Sequence, residues 1–168
     1  MCIRDSTGAL GASTSLGGLT VNSAGAGNIT FSSTIGDAEN AGVAGTTAIG
    51  NAATNDLNFN STIYSFDGAT TITAASGDNI DIAAGSDTTF TTDADNITFA
   101  TANIALADGS DLTVDTGAAG GNITIGEIAG TTVETVTLDA GSGTTSVGVI
   151  GSGTEIGAVS IGLSLIHI

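Results

Sequence analysis

Apolar and polar residues alternate in short bursts along this chain. Leu19-Thr20-Val21, Ile29-Thr30-Phe31, Leu57-Asn58-Phe59, Ile80-Asp81-Ile82, Ile97-Thr98-Phe99, Leu112-Thr113-Val114, Ile123-Thr124-Ile125 and Val136-Thr137-Leu138 share one form. Each puts two apolar side chains on one side of an extended segment and a polar one on the other, the period-two signature of a strand. Gly, Asn, Asp and Ser between the bursts read as turns. No run places apolar residues at i, i+3 and i+4, and Gly recurs every few residues, so helix is disfavoured throughout. Proline is absent, which suits strands whose N–H groups are all needed in ladders.

A longer period lies over the short one. Phe66, Phe90, Val114, Leu138 and Ile161 are spaced 24, 24, 24 and 23 residues apart. Leu57, Ile80, Ile104 and Ile128 are spaced 23, 24 and 24, and Phe99, Ile123 and Val147 are spaced 24 and 24. The three columns sit about 8 residues apart along the chain, one strand and one turn each. This predicts an all-β fold, a right-handed three-sided parallel β-helix of about 24 residues per coil, in which stacked coils share the core that one coil could not bury alone. An antiparallel sandwich also alternates, but it needs hairpin turns, and Asp67-Gly68 and Asp108-Gly109 do not recur at strand spacing. Residues 57–162 are the most regular. Between 32 and 56 the register is poor, and the run from Asp37 to Gly42 reads as a bulging loop or irregular coil. Residues 8–21 also match 148–161, with Gly and Thr identical at 8/148, 11/151, 14/154 and 17/157, which marks the segment as a window on a longer array.

The two ends read differently. Residues 1–6 (Met-Cys-Ile-Arg-Asp-Ser) and 163–168 (Leu-Ser-Leu-Ile-His-Ile) resemble the two strands of one inverted DNA sequence, the transposase mosaic end ligated to fragments in sequencing libraries. On that resemblance both hexapeptides are adapter-derived and the protein proper is 7–162. Cys2, Arg4, His167 and Met1 all lie in these ends, so 7–162 has no Cys, no His and no basic residue. Any export signal or anchor would lie outside the segment.

The run Leu19-Thr20-Val21-Asn22-Ser23-Ala24-Gly25-Ala26-Gly27-Asn28-Ile29-Thr30-Phe31 and the unit Gly153-Thr154-Glu155-Ile156-Gly157-Ala158-Val159-Ser160-Ile161 resemble the repeats of very large exported bacterial proteins. These include filamentous-haemagglutinin-like and autotransporter-associated β-strand-repeat adhesins. The resemblance implies a β-helical stalk or adhesin, extracellular or on the bacterial cell surface, with an unknown surface or glycan ligand. It carries over no catalytic motif.

Charge narrows the chemistry. The net charge is −16, from 17 acidic residues against a single basic one. Nucleic-acid binding needs Lys and Arg to neutralise phosphate, so that class is excluded, and so is electrostatic docking to anionic lipid. No apolar stretch is long enough to span a membrane as a helix. A polysaccharide lyase would need a basic side chain that 7–162 does not have, and the chain reads as no enzyme, with no cofactor and no catalytic residue. The alternative reading is a glycan-binding or glycan-degrading β-helix, phage-derived, or an ice-binding solenoid. The outward positions Ser65, Thr89, Thr113, Thr137 and Ser160 would form a hydroxyl ladder, but the flanking column Asp67, Thr91, Asp115 and Asp139 breaks a paired threonine face. Asp115 and Asp139 would stack one coil apart, where a Ca²⁺ ion could bridge them or a carboxylate pair could act on a glycan. A solvated acidic face is the preferred reading, so no metal site is assigned. Asp56, Asn79, Asn103 and Glu127 precede one core column and read as a side-chain ladder at a turn. The unit Asn or Asp, then Ile or Leu, any residue, then an apolar one, begins at Asn28, Asp56, Asn79, Asn96, Asn103, Asp111 and Asn122. Four Asn-x-Ser/Thr triplets, at Asn28, Asn60, Asn96 and Asn122, match glycosylation acceptors but are explained more simply by the strand pattern.

Overall fold

The computed structural model describes residues 8–37, 41–83, 85 and 87–162. The two terminal hexapeptides, with Cys2, Arg4 and His167, lie outside the described residues. The fold is a parallel β-solenoid of about six turns with no helix among the described residues. Its strands are β1 (Leu19–Val21), β2 (Ile29–Phe31), β3 (Thr47–Ile49), β4 (Leu57–Phe59), β5 (Ile63–Ser65), β6 (Thr70–Thr73), β7 (Asn79–Ile82), β8 (Thr88–Thr91), β9 (Ile97–Ala100), β10 (Asn103–Leu106), β11 (Leu112–Asp115), β12 (Ile123–Ala129), β13 (Thr135–Asp139), β14 (Thr145–Ile150) and β15 (Ala158–Gly162). All eight bursts of alternation fall in these strands.

The strands stack into three faces, and every pairing between them is parallel. The first face runs β1-β3-β6-β9 and continues through the first halves of β12 and β14. The second runs β2-β4-β7-β10 and continues through the later halves of β12 and β14. The third runs β5-β8-β11-β13-β15, extended by the parallel bridges Leu10↔Ile35↔Tyr64 and Leu16↔Val43↔Phe66. The irregular coil therefore still stacks, through β3 and the bridges at Ile35 and Val43. Each strand turns alternate residues inward, as in the buried–intermediate–buried pattern of β4. The inward residues form one continuous core.

The column Leu57↔Ile80↔Ile104↔Ile128 stands as the spacing predicted, extended by Ile29 below and Ile150 above. The column Phe90↔Val114↔Leu138↔Ile161 also stands. Two column members are corrected. Tyr64, not Phe66, lies opposite Phe90, while Phe66 bridges Val43. Ile123 pairs with Ile97, and Phe99 pairs with Ile125, which then meets Val147. Both slips come from turns of unequal length. The turn 83–87 is longer than its counterpart at 60–62, and the tract 116–122 outruns 92–96 below it. A constant step of 24 cannot register such changes, whereas hydrogen bonds between turns fix the pairing locally. The segments 8–21 and 148–161 also land on different faces. Val21 lies on the first face, and its sequence counterpart Ile161 on the third.

The corner between the first and second faces shortens along the axis. It takes residues 22–28 in the first turn, 50–56 in the next, then 74–78, then only Thr101 and Ala102. In β12 and β14 the chain bends within one continuous strand, at Gly126 and Gly148. A β-carbon on Gly148 would collide with the Gly126 carbonyl, so the tightest version of this corner requires glycine.

The core changes character along the axis too. Phe31 and Phe59 stack at 5.3 Å, Phe59 meets Tyr64 edge-on at 4.8 Å, and Tyr64 stacks on Phe90 at 5.1 Å. Above Phe99 the core is aliphatic, with Val114, Ile125, Ile128 and Leu138 buried. At the last turn Val159 and Ile161, which pair with the buried Val136 and Leu138, stand 45% and 43% exposed, because no described turn covers them.

Candidate functional site

Asp115 and Asp139 are brought together as their spacing predicted. They are direct partners across β11 and β13. Each ends its strand and turns its carboxylate back on the following turn: Asp115 Oδ1 accepts from Gly117 N at 2.7 Å, and Asp139 Oδ1 from Gly141 N at 2.9 Å. Gly117 and Gly141 have φ of 75° and 52°, the left-handed turn that brings the amide round to the side chain. Together with Ala118, Ser142 and Gly162 these residues line a cleft of about 520 Å³ at the corner leading from the third face to the first. Ser142 Oγ donates to Ala119 O at 2.7 Å. The carboxylates thus have a local structural task, each closing its own turn. No group of three or more His, Cys, Asp or Glu that could hold a metal occurs among the described residues. The column below them differs from the sequence reading: Thr91 stands opposite Asp115, and Ser65, not Asp67, stands opposite Thr91. Thr91 Oγ1 donates to Ser65 Oγ at 3.0 Å.

The hydroxyl ladder on the third face is likewise shorter than its spacing suggested. Thr89, Thr113, Thr137 and Ser160 pair in register, but Ile63 rather than Ser65 sits beneath Thr89. All five phenylalanines and the single tyrosine are buried. Among the described residues no aromatic ring is left on the surface for a sugar to stack on. Burial pushes the Tyr64 phenol well above its usual range. Its hydroxyl accepts from Ser61 N at 3.0 Å and donates to Phe31 O at 3.3 Å, which satisfies a polar atom inside the core.

The recurring Asn/Asp unit resolves into a bonding rule. In four of the seven units the first side chain accepts an N–H at or just before the start of the corresponding strand one turn further on. Asp56 Oδ1 accepts from Asn79 N at 3.3 Å, Asn96 Oδ1 from Asn122 N at 2.8 Å, Asp111 Oδ1 from Thr135 N at 2.7 Å, and Asn122 Oδ1 from Thr144 N at 2.9 Å. Parallel coils leave amides at their corners outside the strand ladder, and these side chains supply the missing acceptors. Asn28 Nδ2 also donates to Asp56 Oδ2 at 3.3 Å. Asp81 sits on the same face, where burial and then the nearby Asp56 charge raise its pKa.

One titratable group escaped the sequence reading. Glu134 is buried beneath the loop 130–133. Its Oε2 accepts from Thr131 N at 2.8 Å and Thr132 N at 2.9 Å, and its Oε1 accepts from the Thr131 hydroxyl. Burial pushes its carboxyl up. Hydrogen bonds from the Thr131 hydroxyl and from the Thr132 and Thr131 amides outweigh that and hold it down at about 2. The loop they pin includes Thr132 at φ 153° and the exposed Val133. The available signal was the pair of threonines three and two residues before a lone glutamate at a strand start.

No family model matches this chain, and neither a curated protein nor a solved structure matches it. No helix among the described residues is long and apolar enough to cross a membrane.

Proposed function

We propose that the chain is a structural and adhesive segment of a secreted or cell-surface bacterial repeat protein, acting as a rigid acidic stalk rather than as an enzyme. The observation that carries this reading is the uninterrupted stacking of the three faces over one core. Such a body transmits position along its axis and is stiffened at its corners by side-chain acceptors. Its net charge of −16 favours solubility and long-range repulsion between neighbouring stalks. The carboxylates that come nearest to a catalytic pair, Asp115 and Asp139, are each tied to their own turn.

The test places the chain between a bacterial surface anchor and a reporter epitope. The folded stalk keeps the epitope displayed under protease treatment that cuts a Gly/Ser linker of equal length. Cleavage at the linker's rate refutes the stalk. Release of reducing ends from a polysaccharide panel, lost in Asp115→Asn or Asp139→Asn, refutes the non-enzymatic reading.

A further inference from the structure

Three of the four Asn-x-Ser/Thr triplets are spent on the fold. Asn28, Asn96 and Asn122 each open the recurring strand unit, and their side chains bond to the next turn. Asn28 Nδ2 donates to Asp56 Oδ2, Asn96 Oδ1 accepts from Asn122 N, and Asn122 Oδ1 accepts from both the amide and the hydroxyl of Thr144. The third residues of these triplets, Thr30, Thr98 and Thr124, lie inside β2, β9 and β12, paired with neighbouring strands.

Asn60-Ser61-Thr62 differs. It opens no strand unit and makes up the whole turn between β4 and β5. Its backbone is tied down: Asn60 N donates to Phe31 O at 2.9 Å and Ser61 N to the Tyr64 hydroxyl at 3.0 Å. Ser61 O accepts from Thr88 Oγ1 at 3.1 Å, and Thr62 O from Thr89 N at 2.8 Å. The side chains are left free. Asn60 and Thr62 are exposed, and neither the Asn60 amide nor the Thr62 hydroxyl makes a hydrogen bond among the described residues. The strand pattern therefore accounts for three triplets and not for this one.

We infer that Asn60 is an acceptor for an N-linked sugar. The triplet supplies the two groups such transfer reads, the amide and the hydroxyl two residues on, and here both face solvent on a turn. Asn60 Nδ2 attacks the anomeric carbon of a glycosyl diphosphate. The C1–N bond forms, the C1–O bond to the diphosphate breaks, the diphosphate leaves with the bonding pair, and the amide proton passes to a base of the transferase. A sugar on this side chain displaces no hydrogen bond of the stack, because the corner is held by its backbone.

The experiment offers the folded full chain to two N-glycosyltransferases and maps the product by peptide mass spectrometry. One arm uses a soluble transferase with a nucleoside-diphosphate sugar, the other a membrane transferase with a polyprenyl-diphosphate glycan. The arm that reacts identifies the donor, and a free Asn-Ser-Thr peptide confirms that each enzyme is active. Sugar on Asn60, with Asn28, Asn96 and Asn122 bare, is the expected result. Asn60→Gln should fold as before by far-UV circular dichroism and accept none. Thr62→Val keeps the amide and should lower transfer about tenfold or more, as loss of one strong hydrogen bond to the enzyme would. No sugar on the folded chain in either arm overturns the inference. So does transfer that reaches the other three asparagines as readily as Asn60, or that is unchanged in Thr62→Val.

Discussion

Val114 offers the sharpest test of the stacked core. Its side chain is fully buried between Phe90 and Leu138, one turn below and one above. Val114→Asp places a carboxyl there with no partner. In the folded state the group avoids ionising by keeping its proton. Holding an acid of ordinary pKa about 3.9 protonated at pH 7 costs about 4 kcal/mol, at about 1.4 kcal/mol per pH unit. Loss of the buried valine surface adds about 2 kcal/mol. Val114→Asn is the reference, because it suffers the second loss without the first. Urea unfolding followed by far-UV circular dichroism should put Val114→Asp about 4 kcal/mol below Val114→Asn at pH 7. The two should converge near pH 4, where the carboxyl is protonated in the unfolded chain as well. Equal stability at pH 7, or a loss below about 1 kcal/mol for both, would refute the column assignment.

Gly50→Ala and Gly77→Ala separate crowding from backbone strain. Both glycines have positive φ, 72° and 96°. A β-carbon at Gly50 collides with the Thr73 carbonyl, whereas at Gly77 it meets nothing within 4 Å. Thermal unfolding should show Gly77→Ala costing about 1–2 kcal/mol and Gly50→Ala clearly more. Glu134, with its folded pKa lowered to about 2, stabilises fully above its unfolded value near 4.5, and that contribution is lost as pH falls from there toward 2. Glu134→Gln should therefore lower the melting temperature at pH 7, with the difference shrinking across that window. Asp81 has the opposite sign. Its raised folded pKa makes it destabilising when ionised, and the penalty is relieved as pH falls through that pKa. Asp81→Asn should raise the melting temperature at pH 7 and lose its advantage in acid.

The sequence carried the architecture where both inward positions of a strand were apolar. Leu57, Ile80, Ile104 and Ile128 define a column from spacing alone because the longer turns at 83–87 and 116–122 are offset by the shortening corner between the first and second faces. Strands β3, β6 and β8 were hidden because an inward position in each is threonine: Thr47, Thr70 and Thr88 are all buried. Period-two counting of apolar residues misses such strands, although threonine fits a sheet well. Tyr64 was passed over for Phe66 because the constant step took no account of the longer turn at 83–87. The Asp115–Asp139 stack was legible, since both residues flank regular columns. The use of each carboxylate to close its own turn was not legible, because that depends on positive φ at Gly117 and Gly141. Glu134 had no repeat partner in the sequence, so periodicity could not point to it.

The bonding rule at the strand starts has a direction. Asp56, Asn96, Asp111 and Asn122 each receive the amide of a later residue, Asn79, Asn122, Thr135 and Thr144. Hydroxyls of later turns also donate downward: Thr88 to Ser61 O, Thr101 to Ala74 O and Ser110 to Ala83 O. A finished coil therefore presents waiting acceptors to whatever chain follows it. Each layer so formed is a template for its neighbour, so a fold begun at one turn can propagate along the stack.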